Sequence, residues 1–173
     1  KGYQHNVGNA KNSAIPVVQN TTKTPEVQPV LLNPTADKDV ELILENSDWY
    51  AQPKLDGVRF WLKKDNNHIL GYNRKGIQVA CPIEIHESVK TSSDYYEGGC
   101  SNFLIDGELI GDKYYVFDIL EHDNKDVRKL ALENRLELLS DLFEEIESDH
   151  VILVKTAISK DEKKKLYSDL VYN

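Results

Sequence analysis

The chain has 173 residues, of which 40% are hydrophobic and 29% are charged. This length supports one domain with its own core, and the composition excludes a fibrous or wholly disordered protein. The formal net charge of −8 argues against a protein that wraps nucleic acid over its whole surface, because phosphate binding requires clustered Lys and Arg.

The sequence carries no membrane or secretion signal. No apolar run is long enough to span a bilayer and no secretory pattern occurs, so we expect an intracellular protein, in the cytoplasm or in a nucleus or viral factory. Cys81 and Cys100 lack CxxC spacing, and we expect both to be reduced thiols, with no disulfide framework or zinc site implied.

The first part of the chain differs in composition from the rest. Residues 1–29 are rich in Asn, Gln, Thr, Lys and Pro, which predicts a flexible polar tail or linker. Apolar residues then recur on one face of residues 37–45, which predicts a helix.

The middle of the chain has the alternating pattern of half-buried β-strands. Turn residues separate the strands, and Gly111-Asp112 is a two-residue connection with Gly first, as a type II′ turn prefers. The predicted strands are 58–63, 68–72, 77–79, 103–110, 113–120 and 151–154.

Further helices follow from apolar spacings of three and four. Residues 130–146 form the clearest amphipathic pattern, and Ser159 is a plausible N-cap for a helix at 161–170. A shorter helix is predicted at 83–89. The whole pattern predicts an α+β fold of antiparallel sheets with flanking helices.

The most informative segment is Lys54-Leu55-Asp56-Gly57-Val58-Arg59. An Asp-Gly pair between residues 50–52 and 58–62 is also an ordinary strand–turn–strand signal, whose flanking basic residues are simply solvated. In the other interpretation, the lysine is a nucleophile that attacks the α-phosphate of a nucleoside triphosphate. A free lysine titrates near pH 10.4, so such a site must favour the neutral amine through burial or nearby cations.

Three further segments follow in order: Asn73-Arg74-Lys75-Gly76, Asp106-Gly107-Glu108-Leu109 and Tyr115-Val116-Phe117-Asp118-Ile119-Leu120. With the lysine segment, this succession resembles the adenylation domain of ATP-dependent DNA ligases, in the superfamily that also holds RNA ligases and mRNA capping enzymes. The resemblance implies a ligase-type, ATP-grasp-like nucleotidyltransferase domain.

The resemblance assigns roles to residues around the lysine segment. Lys54 would be the nucleophile that carries AMP, and Arg59 would lie near the phosphates and the end of the ligated strand. Arg74 would contact ribose or phosphate. Gln52 and Asp56 are placed in the nucleotide site as well, although Asp56 also suits the turn.

The later segments supply the remaining roles. Glu108 would hold the ribose or a metal-bound water, and Phe117 would stack on the purine, with Tyr115 as the alternative. A ribose hydroxyl needs an acceptor and a base needs an aromatic face, so these residue types suit the roles. Asp118 and Arg135 are interpreted as structural.

The implied activity is that of an ATP-dependent DNA ligase fragment. AMP would pass from ATP to Lys54 and then to a 5′-phosphate at a nick, which the 3′-hydroxyl seals. ATP and Mg²⁺ are the implied cofactors, because the triphosphate charge must be neutralised, and nicked double-stranded DNA is the implied partner of a monomer. An RNA ligase, an mRNA capping guanylyltransferase and a catalytically inactive nucleotide-binding or interaction module remain alternatives.

Two later elements of the family pattern have no counterpart here. They are a Glu-Gly motif whose carboxylate helps to bind the metal and a Lys-x-Lys motif that grips the triphosphate. Glu97-Gly98 stands in the wrong order, and Lys163-Lys164-Lys165 has a helical setting. We therefore expect residues 30–173 to be a nucleotidyltransferase domain that is incomplete at its C-terminal end.

Overall fold

The computed structural model describes residues 35–95, 102–146 and 148–172. Four sequence predictions lie outside these residues and stay predictions. They concern the polar tail at 1–29, the start of the domain at residue 30, the Glu97-Gly98 pair and the thiol of Cys100.

A single sheet of seven strands organises this part of the chain. The strands are β1 Val58–Asp65, β2 His68–Asn73, β3 Gln78–Val79, β4 Asn102–Ile110, β5 Lys113–His122, β6 Lys125–Asp126 and β7 Val151–Leu153. Their order is β3-β2-β1-β4-β5-β6, and β7 pairs with the first half of β5.

Helices precede, interrupt and follow the sheet. They are a 3-10 turn Asp37–Asp39, α1 Val40–Glu45, α2 Ile83–Tyr95, α3 Leu132–Glu145 and α4 Lys160–Tyr172. Ser159 caps α4 as expected: its Oγ accepts from the Glu162 N–H at 3.2 Å, and Glu162 Oε2 accepts from the Ser159 N–H at 3.0 Å. This reciprocal pair is a capping box.

The strand pairings confirm the predicted α+β class. Every strand pair is antiparallel except β5–β7, which is parallel and is joined by a crossover that contains α3. Gly111 connects β4 to β5 with φ +63°, a conformation that glycine adopts without steric cost, as the predicted type II′ turn requires.

One face of the sheet carries the main hydrophobic core. Ile85 and Val89 of α2 and Leu139 and Leu142 of α3 pack here against apolar side chains of the strands. The opposite face has a smaller apolar cluster around Trp61 and, beyond it, charged side chains. The face with the main core therefore provides most of the hydrophobic packing, and the opposite face is the one that can carry a polar site.

A β-bulge in β5 disturbs this alternation opposite β4. Asp106 pairs with Asp118 whereas Gly107 pairs with Val116, which leaves Phe117 as the extra residue. Bulges of this kind redirect side chains and are frequent beside active sites.

A second register shift, between Leu104 and Ile105, leaves Leu120 as another extra residue of β5. Because the first bulge inserts Phe117, the core residues Val116 and Ile119 are three positions apart instead of two. A strict period of two, which the sequence pattern suggests for this strand, cannot reproduce this arrangement.

The hairpin interpretation of the lysine segment is wrong. Residues 52–56 are irregular, and Ala51 pairs with Ala157 through two backbone hydrogen bonds of 2.9 and 2.8 Å instead of with β1. The Asp56-Gly57 pair is thus the end of a loop that leads into β1. Residues 50–52 do not pair with β1, because Ala51 pairs instead with Ala157, far along the chain.

The two lysines of β1 lie on opposite faces of the sheet. Lys63 lies on the side of the small cluster and binds Glu121 at 2.8 Å, whereas Lys64 is buried on the core side above the Phe103 ring. Alternation along β1 separates the two charges. In the part of the chain that the structure describes, no helix has the length and apolar character needed to cross a membrane.

Candidate active site

A cleft of about 510 Å³ opens on the charged face of the sheet. This volume lies within the usual range of small-molecule sites. The loop before β1, strands β1, β4 and β5, and the start of α3 all contribute to its wall, including Gln52, Lys54, Arg59, Glu108, Phe117 and Arg135.

Lys54 lies in the irregular loop, and its side chain is exposed at the cleft. The loop is fastened on both sides of the lysine. Before it, Ala51 pairs with Ala157; after it, the Gly57 N–H donates to Glu108 Oε1 at 3.2 Å. The lysine is therefore held at the rim by contacts with distant parts of the chain.

Gln52 has its amide fixed by two acceptors. Its Nε2 donates to the carbonyl of Phe117 at 3.1 Å and to Thr156 Oγ1 at 2.8 Å. The carbonyl acceptor determines which amide atom is nitrogen, because a backbone oxygen cannot donate. Gln52 thereby ties the lysine loop to the bulge of β5.

Arg59 is held between a carboxylate and an aromatic ring. Its Nε and Nη2 donate to the two carboxylate oxygens of Asp106 at 2.6 Å each, and its guanidinium carbon lies 4.6 Å from the centre of the Phe117 ring. A bidentate pair of this kind fixes the plane of the guanidinium as well as its position.

Asp106 is almost completely buried beneath Arg59. Burial raises its pKa to about 6, against the opposing effect of the guanidinium, which favours the charged carboxylate. At neutral pH the carboxyl is therefore still mainly ionised, and the pair with Arg59 is intact. Sequence analysis did not single out Asp106 as a site residue, although it belongs to the same segment as Glu108.

Glu108 stands beside the lysine loop. Burial raises its pKa above the ordinary value for glutamate, whereas the Gly57 N–H, Arg59 and Lys54 lower it. Its carboxylate thus lies within the electrostatic reach of both cations. It is placed to accept hydrogen bonds from a ligand in the cleft.

Two further arginines extend the cleft towards α3. Arg135 binds Asp118 through Nε and Nη2 at 2.8 and 3.1 Å, and Arg128 binds Asp126 at 2.8 and 2.7 Å. The structural interpretation of Asp118 and Arg135 agrees with this pair, but both side chains also line the cleft. The segment 126–130 also resembles the one that follows the fourth motif in DNA ligases, but sequence analysis did not assign Arg128 to the site, because its position in the cleft depends on the turn before α3.

The cleft brings together five of the seven predicted site residues: Gln52, Lys54, Arg59, Glu108 and Phe117. The other two are Asp56, exposed in the lysine loop, and Arg74, exposed in the turn between β2 and β3. Neither of these two side chains is part of the cleft wall. Tyr115, the alternative to Phe117, also lies outside the wall.

The donor set suits a metal ion only in part. Within residues 35–95, 102–146 and 148–172, no three His, Cys, Asp or Glu side chains are close enough together to hold one. Mg²⁺ usually keeps several waters and takes one or two carboxylates together with substrate phosphates. Glu108 fits that sparse requirement, since its carboxylate faces the cleft without an arginine partner bound to it.

Solved structures provide the comparison for this fold. The chain matches the ligase domain of LigD from M. tuberculosis with a TM-score of 0.53 at 14% identity, over 69% of this chain and 44% of that chain. The chain has the fold of a DNA ligase domain. A mycobacterial DNA ligase D complexed with ATP and MES matches this ligase fold with a TM-score of 0.50 at 13% identity, over the same shares of the two chains.

A third structure with the ligase fold, Pmar-Lig_Pre, matches with a TM-score of 0.52 at 15% identity, over 70% of this chain and 34% of that chain. The chain thus spans less than half the length of the ligase structures that it matches. No protein-family model matches the sequence, and no curated protein is significantly similar to it. The predicted ligase-type nucleotidyltransferase fold is confirmed at the level of architecture.

Proposed function

We propose that this chain is part of an ATP-dependent DNA ligase and that Lys54 accepts AMP from ATP. One observation carries the proposal: the ligase fold places a lysine, a carboxylate, an arginine and an aromatic ring around one cleft of suitable volume. ATP enters the proposal as substrate because one structure of similar fold is complexed with ATP.

The proposed step is an in-line displacement at the α-phosphorus. The Nζ of Lys54 forms a bond to phosphorus, the bond to the bridging oxygen breaks and pyrophosphate leaves. The amine attacks in its neutral form. Once the N–P bond has formed, the nitrogen loses one proton to solvent or to the leaving pyrophosphate. Arg59 stabilises charge on the phosphates, and its fixed guanidinium avoids reorganisation during the step.

Other residues of the wall orient the nucleotide. Glu108 accepts hydrogen bonds from the ribose, and Phe117 offers one ring face to the base because Arg59 lies over the other. Gln52 holds the loop and borders the base position. A Mg²⁺ ion held through Glu108 would offset the charge of the triphosphate.

The later steps follow from the same proposal. AMP on Lys54 would pass to the 5′-phosphate of a nick in double-stranded DNA, and the 3′-hydroxyl would displace it to seal the strand. We propose a monomeric, intracellular protein for this role. Complete sealing belongs to a longer protein in this proposal, since the chain spans less than half of the ligase structures it matches.

Intact-mass measurement tests the proposal directly. The wild-type chain, Lys54→Ala and the control Lys165→Ala, an exposed lysine of α4, are incubated with Mg²⁺ and either ATP or GTP. We expect an AMP adduct on wild type and Lys165→Ala and none on Lys54→Ala.

Three other outcomes contradict the proposal. A GMP adduct would favour a capping guanylyltransferase, and no adduct with either nucleotide would favour a binding module without chemistry. An adduct that persists in Lys54→Ala would place the nucleophile elsewhere.

A further inference from the structure

The buried ammonium of Lys163 is the unusual feature from which a further role follows. We propose that Lys163, together with Thr156, is a positioning residue for Lys54. It holds the loop that carries the nucleophile against α4 and the segment before it. This inference rests on the proposed function of Lys54.

Lys163 is a charged side chain buried almost completely in the body of the protein, with 1% of its surface exposed. Its Nζ donates to the carbonyl of Asn46 at 2.6 Å and to the carbonyl of Trp49 at 3.0 Å. Burying an ammonium is costly unless its donors are satisfied. Here two of its three donors bind backbone carbonyls of the segment that leads to Lys54.

The same segment is fastened again closer to Lys54. Ala51 and Ala157 exchange two backbone hydrogen bonds, and Gln52 donates to Thr156 Oγ1. Residues 46–52 are therefore held at successive points by residues 156–163. No strand of the sheet and no helix contains this part of the loop.

The position of the loop matters because chemistry at Lys54 depends on geometry. A displacement of about 1 Å can lower a rate on the order of a hundredfold even when the altered residue is remote. Lys163 and Thr156 do not line the cleft, so they act on the reaction only through the loop. Loss of Lys163 should therefore slow AMP transfer without weakening ATP binding.

The first test compares single-turnover rates of AMP transfer. Lys163→Met keeps a similar stem and removes the donors, Lys163→Arg retains charge and donors, and Lys165→Met changes an exposed lysine of the same helix. We expect Lys163→Met to transfer AMP on the order of a hundredfold more slowly at saturating ATP, with an unchanged half-saturating ATP concentration. Lys163→Arg should recover most of the rate, and Lys165→Met should match wild type.

Thr156→Val provides a milder variant in case Lys163→Met does not fold. Valine has nearly the same shape and removes only the acceptor of the Gln52 amide. We expect a fall in rate on the order of tenfold with unchanged thermal unfolding. Wild-type rates in both Thr156→Val and Lys163→Met would overturn the inference, as would a loss of rate that only follows the unfolded fraction.

Amide hydrogen exchange supplies a readout that needs no nucleotide. The N–H groups of Ala51 and Ala157 should exchange faster in Lys163→Met, whereas those of β1 and β4 should not change. Unchanged exchange at both alanines would contradict the inference. Absence of an adduct on the wild-type chain would overturn the proposed function itself, so the two failures are distinguishable.

Discussion

The Arg59–Asp106 pair shows how one buried carboxyl can set the electrostatics of the cleft. Arg59 needs a partner to keep its plane, and Asp106 supplies both oxygens at 2.6 Å. Burying the Asp106 carboxylate away from water costs free energy, and its raised pKa is the result of this desolvation.

This raised pKa predicts a specific dependence of stability on pH. Because the folded pKa of about 6 exceeds the ordinary value of 3.8, the folded state binds the Asp106 proton more tightly than the unfolded state. The contribution to stability is complete below pH 3.8 and is lost as pH rises to about 6, by at most about 3 kcal/mol.

Urea denaturation of wild type and Asp106→Asn between pH 4 and 7 measures this contribution. The advantage in free energy of unfolding that wild type has over the variant should shrink as pH rises. Loss of the bidentate pair adds only a constant offset to this difference, since asparagine does not titrate. A difference that stays the same at every pH would contradict the raised pKa.

At the scale of elements, local patterns predicted the strands and helices well. Periods of two and of three to four and the Ser159 cap are local features, and β1 to β5, β7 and the helices lie near their predicted positions. The short strand β6 was not predicted, and α2 ends at Tyr95 instead of at residue 89. The two bulges of β5 were not predicted, because a bulge depends on how β4 pairs with it. The partner of Ala51 was missed for a similar reason: it comes from far along the chain.

The site residues also divide into those that local motifs indicate and those that only the tertiary structure brings to the cleft. Lys54, Arg59, Glu108 and Phe117 were indicated by motifs, whereas Arg128 reaches the cleft only through the turn before α3. The assignments themselves remain predictions until nucleotide binding is measured.

The first bulge predicts an unequal response to two glycine substitutions. In Gly107→Ala the new Cβ would overlap the carbonyl oxygen of Tyr115 and the ring of Tyr114, so β4 or β5 must move. In Gly111→Ala the new Cβ meets no atom within 4 Å, and only the φ of +63° is strained. We expect a loss of stability of roughly 3 kcal/mol or more at Gly107 and about 1 kcal/mol at Gly111.

Chemical denaturation of the two variants and wild type gives these values. Gly111→Asn serves as the matched control, because asparagine tolerates a positive φ better than alanine does. Equal losses at the two glycines would show that β4 and β5 are not as closely packed at the bulge as the structure indicates.

At the scale of the whole molecule, the acidic charge opposes the proposed DNA partner. The chain carries a net charge of −8, and each of the three arginines of the cleft is bound to an aspartate. DNA must therefore compete with these carboxylates for the same guanidinium groups. Local cations favour the proposal, whereas the remaining surface repels the duplex.

Binding of a nicked duplex to this chain should consequently be weak and only moderately salt-dependent. We expect dissociation constants in the micromolar range or weaker, and a slope of log K against log salt between about −1 and −4. Fluorescence anisotropy at several salt concentrations measures both quantities, with an intact duplex as the control. Nanomolar affinity or a much steeper slope would point to a DNA surface outside the cleft.

The loop that carries Lys54 is far along the chain from the residues that hold it, and this separation has a consequence during synthesis on the ribosome. The hydrogen bond from Gln52 to Thr156 spans 104 residues, and that from Lys163 to Asn46 spans 117. At roughly 5–20 residues per second, a ribosome delivers Lys54 several seconds before the residues that fasten its loop. A nascent chain therefore carries a lysine that is present but not yet held in place, and it gains its proposed reactivity only when α4 has emerged and folded.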